Sequence, residues 1–177
     1  MSECLEIMFQ LYCALVYLHN DMGTAHCDIK PANILISENG YVRVTDLQLA
    51  KPANDRVRTS DEGTLGFLAP ECFNQDRHDA SHSIPTYAQV DMWAAGIVCY
   101  HLLFHEHPII PPTTSDRRSI KQAIFQFNGQ LLFPEEDPSR SIPPWIKHFL
   151  SCSLHPDGRN RPTANEAFHL FRKNAMM

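Results

Sequence analysis

The chain has 177 residues, of which 44% are hydrophobic and 20% are charged, and its formal net charge is −5. This length and balance are typical of one globular domain and argue against a largely disordered chain. A net negative charge gives no basic footprint for nucleic acid, so we expect no nucleic-acid partner.

The first predicted element is a helix over residues 3–20. Apolar side chains recur there at a 4-3-4-3 spacing: Cys4, Met8, Leu11, Leu15 and Leu18. This spacing indicates a helix with a broad buried face. Residues 20–23 are expected to end it, because a glycine suits the left-handed cap of a helix.

Residues 33–46 predict a tight β-hairpin. The apolar run 34–36 leads into Asn39-Gly40, and Val42 and Val44 then alternate with polar residues. The stretch before the hairpin, "AHCDIKPAN", therefore lies in a loop between two rigid elements. Such loops are common sites of chemistry.

A central helix is predicted over residues 90–104, an almost wholly apolar run that contains Asp91 and His101. Its fifteen residues are too few for a membrane span, so the run predicts a buried helix and no membrane partner.

Three more helices are predicted towards the C-terminus. One covers residues 115–127 with Ser115 as its cap, and one begins at residues 143–144, where two prolines suit a helix start. Thr163 and Glu166 form a capping box before a terminal helix. The expected fold is mainly α (α+β), with about six helices around a buried central helix and one small hairpin.

The cysteines and the N-terminus bear on location. Six cysteines are scattered without a C-x-x-C pair, which argues against structural zinc and for a reduced compartment. Glu3 and Glu6 stand where a signal peptide carries basic residues. We therefore expect an intracellular, cytoplasmic protein.

The loop before the hairpin brings together groups suited to phosphate chemistry. Asp28 can orient a hydroxyl and accept its proton, and Lys30 can offset negative charge on a group in transfer. The amide oxygen of Asn33 suits Mg²⁺, and the hairpin returns Asp46 towards Asn33. These residues predict a metal–phosphate site beside a base. Taken alone, the motif has the alternative of a polar loop without function.

Five motifs resemble those of the eukaryotic-type protein kinase family, in the family's order and at family-like intervals. They are "HCDIKPAN", "TDLQLAK", "GTLGFLAPE", "VDMWAAGIV" and "RNRPTANEA". The resemblance covers only the family's C-terminal lobe. It implies a partial kinase domain over residues 1–177, with a catalytic loop at 26–33, a metal motif at 46–48, an activation segment at 46–71 and the central helix at 90–104.

The resemblance implies a catalytic and cofactor-binding role for four residues. Asp28 looks like the catalytic base, and Lys30 looks like the phosphate-contacting lysine typical of serine/threonine kinases. Asn33 and Asp46 look like the two ligands of Mg²⁺ in an ATP site, and Asn33 also belongs to the catalytic loop.

Five further residues are implied as structural supports: His26, Thr64, Glu71, Asp91 and Arg161. Thr64 resembles the residue that bonds the catalytic loop and shapes the platform for a protein substrate. Glu71 is expected to pair with Arg161 and to anchor the end of the activation segment. Asp91 resembles the residue that holds the catalytic-loop backbone, which would explain an acid in an apolar helix.

The chain departs from the family pattern at three points. Cys27 replaces an arginine that grips a phosphorylated residue, which makes Thr59 and Ser60 weaker candidates for phosphorylation switches. Gln48 replaces the glycine of the metal motif, at a cost of roughly 1–3 kcal/mol if the glycine conformation is required. No G-x-G-x-x-G and no V-A-I-K-like strand occur, so the ATP-gripping small lobe is missing from these residues.

Two functions follow from the resemblance. One is a protein serine/threonine kinase that uses Mg²⁺ and ATP to phosphorylate a protein Ser/Thr hydroxyl, with its small lobe supplied elsewhere. The other is a catalytically inactive, kinase-like binding or scaffold module, which Cys27, Gln48 and the missing lobe favour. In both, we expect an exposed apolar face that a small lobe or a partner protein would cover, and very low activity of this chain alone.

Overall fold

A computed structural model of the protein describes residues 2–58, 62–73, 85–134 and 142–175. The two candidate switch residues, Thr59 and Ser60, lie outside the described residues.

Most of the described chain is helical, which confirms the predicted mainly α fold. The helices are α1 (Ser2–Val16), α2 (Tyr87–Phe104), α3 (Arg117–Gln126), α4 (Pro144–Ser153) and α5 (Ala164–Ala175). A π-helical turn, Tyr17–Asp21, continues α1, so together they cover the predicted 3–20 helix. The described ranges hold five α-helices, close to the predicted six, and the remaining helical pieces are this π-helical turn and short 3-10 segments.

Capping side chains set where two helices begin. Helix α2 starts three residues before the predicted position because Thr86 and Gln89 form a capping box, in which the Thr86 N–H donates to Gln89 Oε1 at 2.7 Å. The predicted cap Ser115 is wrong for α3. Asp116 is the cap, since its Oδ1 accepts the Ser119 N–H at 2.9 Å.

Four short strands form two antiparallel pairs. They are β1 (Thr24–Ala25), β2 (Ile34–Ile36), β3 (Val42–Val44) and β4 (Lys51–Pro52). The predicted hairpin is the β2–β3 pair, with Ile34 opposite Val44. Five residues, 37–41, connect the paired Ile36 and Val42, and Gly40 among them is left-handed (φ +77), so the loop is longer than the expected two-residue Asn-Gly turn. The β1–β4 pair was not predicted, because two-residue strands show no periodicity.

Helix α2 lies at the centre of the fold, with buried side chains on all of its faces. Apolar clusters pack on its two sides, one against α1, α4 and α5 and the other against the segment 65–73 and α3. Gly96 allows the close approach of α4, because a Cβ there would lie 3.0 Å from the Ser153 Cβ. Among the described residues, none of the helices combines the length and the apolar character that crossing a membrane requires.

Candidate active site

The carboxylate of Asp28 is the centre of a dense hydrogen-bond network. Its Oδ1 accepts the backbone N–H of Thr64 at 3.0 Å and the Thr64 hydroxyl at 2.8 Å. Its Oδ2 accepts Lys30 Nζ at 2.6 Å and Asn33 Nδ2 at 3.2 Å. Lys30 Nζ also donates to Thr64 Oγ1 at 2.8 Å. The structure therefore brings together the side chains of Asp28, Lys30, Asn33 and Thr64.

These contacts set the charge of Asp28. Partial burial alone would raise its pKa, but hydrogen bonds from Lys30 and Thr64 and the positive charge of Lys30 outweigh burial. The pKa of Asp28 is therefore lowered from 3.8, and the carboxylate is ionised at neutral pH. Such a group is suited to orienting a hydroxyl, and it is a weak proton acceptor in the ground state.

Asp91 of α2 binds the backbone of the catalytic loop through its carboxylate. Its Oδ2 accepts the His26 N–H at 2.7 Å, and its Oδ1 accepts the Cys27 N–H at 2.8 Å. Asp91 is 0% exposed, and His19 Nε2 lies 2.8 Å from its Oδ2. The acid in the apolar helix is thus fully hydrogen-bonded, which a buried carboxylate requires. It holds Cys27 in a left-handed conformation (φ 64).

His26 connects this loop to the end of the hairpin. Its Nδ1 accepts the Asp28 N–H at 3.2 Å, so its proton is on Nε2, which donates to the Thr45 carbonyl at 2.8 Å. The Thr45 N–H in turn donates to the Asn33 carbonyl at 2.9 Å. The residue that precedes Asp46 is therefore fastened to both ends of the catalytic loop.

Asp46 itself is exposed and weakly held. Its Oδ1 accepts the Gln48 N–H at a long 3.4 Å, and its backbone is left-handed with φ 67. Gln48 has no positive φ, so it does not need the left-handed conformation that a glycine allows. The strained position of the metal motif is Asp46.

The donor chemistry of Asn33 and Asp46 fits a hard cation. Asn33 Nδ2 donates to the Asp28 carbonyl at 2.9 Å, which leaves its amide oxygen as the ligand atom. In the described part of the chain, no group of three His, Cys, Asp or Glu residues gathers as a metal cage. Two protein oxygens suffice for Mg²⁺ only where phosphate and water complete its shell.

Glu71 and Arg161 form a bidentate ion pair, with Nη1–Oε1 at 2.6 Å and Nη2–Oε2 at 2.8 Å. Both side chains are buried, and Arg161 also lies 4.8 Å from the Trp93 ring centroid. A Cβ on Gly158 would lie 3.0 Å from Glu71 Oε1, so only glycine leaves room for the pair. The pair ties the end of the segment 62–73 to the connection between α4 and α5, and breaking it from one side would cost about 3–5 kcal/mol.

Cys27 does not offer a phosphate ligand. Burial, followed by the charge of Asp91, raises the pKa of its thiol to about 12, so the side chain is neutral at physiological pH. It lines a small cavity together with Lys51, whose Nζ pairs with Glu62 Oε2 at 2.6 Å.

Sequence reasoning missed two histidines. His19 supports Asp91, and the available signal was a polar residue inside the buried stripe that ends the first helix. His107 lies in the connection between α2 and α3 and contacts Gly66, and no local pattern pointed to it.

Comparisons with known proteins place most of the chain within one family of sequences. A family model described as "Protein kinase domain" matches residues 1–170. The chain is 30% identical to Calcium-dependent protein kinase 6 of Plasmodium berghei over 93% of this chain and 10% of that protein. It is 30% identical to Mitogen-activated protein kinase kinase kinase 18 of Arabidopsis thaliana over 89% of this chain and 42% of the relative. It is 29% identical to Probable serine/threonine-protein kinase C70.05c of Schizosaccharomyces pombe over 95% of this chain and 23% of that protein. The chain thus spans less than half the length of each.

Proposed function

The chain belongs to the protein kinase family, and from this premise we propose that it is the catalytic lobe of a protein serine/threonine kinase. In this proposal it transfers the γ-phosphate of ATP to a Ser or Thr hydroxyl of a protein. The observation that carries the proposal is the Asp28 carboxylate, whose four hydrogen-bond donors come from Lys30, Asn33 and Thr64. One relative, named as a probable serine/threonine-protein kinase, supports the substrate class.

Each side chain has a defined task in this proposal. Asp28 orients the substrate hydroxyl and receives its proton as the oxygen–phosphorus bond forms. Lys30, whose Nζ lies between Asp28 and Thr64, offsets negative charge on the group in transfer. Bound Mg²⁺-ATP supplies the phosphoryl group, and the amide oxygen of Asn33 and the carboxylate of Asp46 would hold the metal.

The nucleotide must also be held from the side opposite the catalytic loop. Around the hairpin and the metal motif the chain exposes large apolar side chains: Leu35 (53%), Ile36 (53%), Tyr41 (65%) and Leu47 (51%). We propose that a small lobe or a partner protein covers this face and supplies the groups that grip ATP. The same exposed residues favour the second candidate, an inactive kinase-like module that binds a partner through this face.

Phosphotransfer by the full-length protein from its source decides between the two candidates. We expect transfer from ATP to a generic Ser/Thr protein substrate, and a loss of at least about 100-fold in kcat for Asp28→Asn. Asp116→Asn is the matched control, because an exposed helix cap functions equally well with Asn. No transfer by the full-length protein would leave the binding module as the function, whereas equal rates for wild type and Asp28→Asn would overturn the role proposed for Asp28.

A further inference from the structure

His107 joins two segments that are far apart in the chain. Its Nδ1 accepts the N–H of Ile109 at 3.1 Å and the N–H of Ile110 at 3.0 Å. A nitrogen that accepts two N–H groups cannot carry a proton, so the ring proton is on Nε2. Nε2 lies 2.8 Å from the Gly66 carbonyl and donates to it. The neutral imidazole therefore bridges the α2–α3 connection and the 3-10 turn Leu65–Phe67.

That turn is continuous with the site. It begins directly after Thr64, whose backbone N–H and hydroxyl bind Asp28. Within the turn, the Phe67 N–H donates to the Thr64 carbonyl at 2.8 Å, but the Leu68 N–H lies 3.4 Å from the Leu65 carbonyl. The hydrogen bond from His107 to the Gly66 carbonyl therefore adds stability to a turn whose own second hydrogen bond is long.

The imidazole also packs against the turn. The Phe67 ring meets it edge-on, with 6.4 Å between the ring centroids. A Cβ on Gly66 would lie 3.8 Å from His107 Nε2 and 3.7 Å from the Ile110 side chain. His107 and Ile110 thus form the wall on which the turn rests.

Protonation of His107 would break this arrangement. A second proton on Nδ1 would turn an acceptor of two N–H groups into a donor that faces them. Burial is the main cause that lowers the pKa of His107 from 6.5, and the charge of His101 lowers it further. The Gly66 carbonyl acts in the opposite direction but does not reverse the shift. Among the described residues, His101 is the titratable group whose charge acts on His107.

We propose that His107 is a positioning residue for the protein substrate: as the neutral Nε2–H tautomer it holds the 65–67 turn in place beside Asp28, and its protonation releases that turn. The positioning of substrate rests on the proposed kinase function, whereas the hold on the turn does not. Because the folded protein favours neutral His107, the hold is complete above pH 6.5 and weakens as the pH falls below that value.

Two substitutions separate the two hydrogen-bonding ends of the ring. In His107→Asn the amide oxygen can replace Nδ1 as acceptor for the 109–110 backbone, but the shorter side chain cannot reach Gly66. In His107→Gln the amide nitrogen can replace Nε2 as donor to Gly66 and Nδ1 is lost. Hydrogen–deuterium exchange on the whole protein, corrected for intrinsic rates, measures both ends.

We expect His107→Asn to accelerate exchange of the 65–68 amides by roughly twofold to tenfold, while Ile109 and Ile110 stay protected. His107→Gln should show the reverse pattern. In the wild type, exchange of 65–68 should accelerate as the pH falls below 6.5, and this dependence should be absent in His107→Gln. Unchanged 65–68 exchange in His107→Asn, or a proton on Nδ1 by ¹⁵N NMR, would overturn the proposal.

An activity measurement tests the positioning of substrate. In the active full-length protein, His107→Asn should raise KM for the protein substrate by roughly threefold to tenfold and leave KM for ATP unchanged. Equal increases in both KM values, or none, would overturn a role in substrate positioning. If the wild type transfers no phosphate, the proposed kinase function fails, while the exchange experiment still decides whether His107 holds the turn.

Discussion

The catalytic loop at 26–33 and the metal motif at 46–48 lie side by side but are held very differently. Asp28 is 8% exposed, and its two oxygens accept four hydrogen bonds from three residues. Asp46 is exposed, and among the described residues its carboxylate accepts one hydrogen bond, from the Gln48 N–H at 3.4 Å. The chain therefore preorganises the half of the site that would orient a hydroxyl, and it leaves the half that would hold a metal dependent on other groups.

The difference has a simple structural cause. The catalytic loop rests on the buried helix α2, where the Asp91 carboxylate binds two of its backbone N–H groups. The metal motif follows a hairpin whose strand β2 has two half-exposed apolar side chains, Leu35 and Ile36. Contact with the buried helix therefore fixes the catalytic loop. The metal motif is exposed to solvent, where the proposed small lobe or partner would cover it.

The largest expected effect comes from removing the support beneath the catalytic loop. Asp91→Asn should lower the free energy of unfolding by about 3 kcal/mol, because an amide nitrogen would face a buried N–H donor of the loop. Urea denaturation measures this loss. Asp116→Asn, an exposed cap, is the control and should change stability by less than about 0.5 kcal/mol. A loss as small as that for Asp91→Asn would contradict the difference drawn between the two regions.

A smaller effect is expected from releasing the hairpin. Gln10 of α1 accepts the Val42 N–H at 2.9 Å and donates to the Gly40 carbonyl at 3.1 Å. Gln10→Leu should destabilise the hairpin by about 1 kcal/mol, read as faster amide exchange of Val42. Gln10→Glu keeps the acceptor and should preserve more of that protection. Unchanged exchange at Val42 in Gln10→Leu would mean that the hairpin is held by contacts other than these.

The smallest effect is expected from the nucleotide. Because the part of the site that contains Asp46 is exposed, we expect a Kd for Mg²⁺-ATP of about 1 mM. At about 1 mM Mg²⁺-ATP the Tm of this chain should therefore rise by only about 1–2 °C. Asp46→Ala should remove even this gain, measured by thermal unfolding with and without Mg²⁺-ATP. A shift of about 5 °C or more that disappears in Asp46→Ala would show that the metal half is preorganised as well.

Local patterns predicted the helices and the hairpin well, because their signals lie within a few residues of each other. The spacing of apolar residues located α1, and the Thr163–Glu166 capping box is present, with the Thr163 N–H donating to Glu166 Oε2 at 2.8 Å. The β1–β4 pair and the caps of α2 and α3 were missed or misplaced. Their stability depends on neighbours in space or on which of several polar residues reaches a backbone N–H.

The candidate site was predicted in part. Asp28, Lys30 and Asn33 lie in the short stretch "HCDIKPAN", and Thr64 lies in the motif "GTLGFLAPE". The resemblance to kinases assigned each of them a role, and these roles stay predictions until they are measured. His19 and His107 were not predicted as site residues. Their hydrogen-bond partners, Asp91 and Gly66, lie 72 and 41 residues away in the sequence. Strain at Gln48 was expected only if that residue needed the glycine conformation, and the left-handed residue of the motif is instead Asp46 (φ 67).

By itself, the sequence determined that this chain has a mainly α fold around one apolar helix and carries the motifs of the protein kinase family. Those features are local or ordered along the chain. Only the tertiary structure decided that Asp28 is ionised within a hydrogen-bond network, that Asp46 is left exposed, and that His107 lies within hydrogen-bond distance of Gly66 beside the site. Burial and hydrogen-bond partners are properties of packing, and packing joins residues whose separation in the sequence carries no signal.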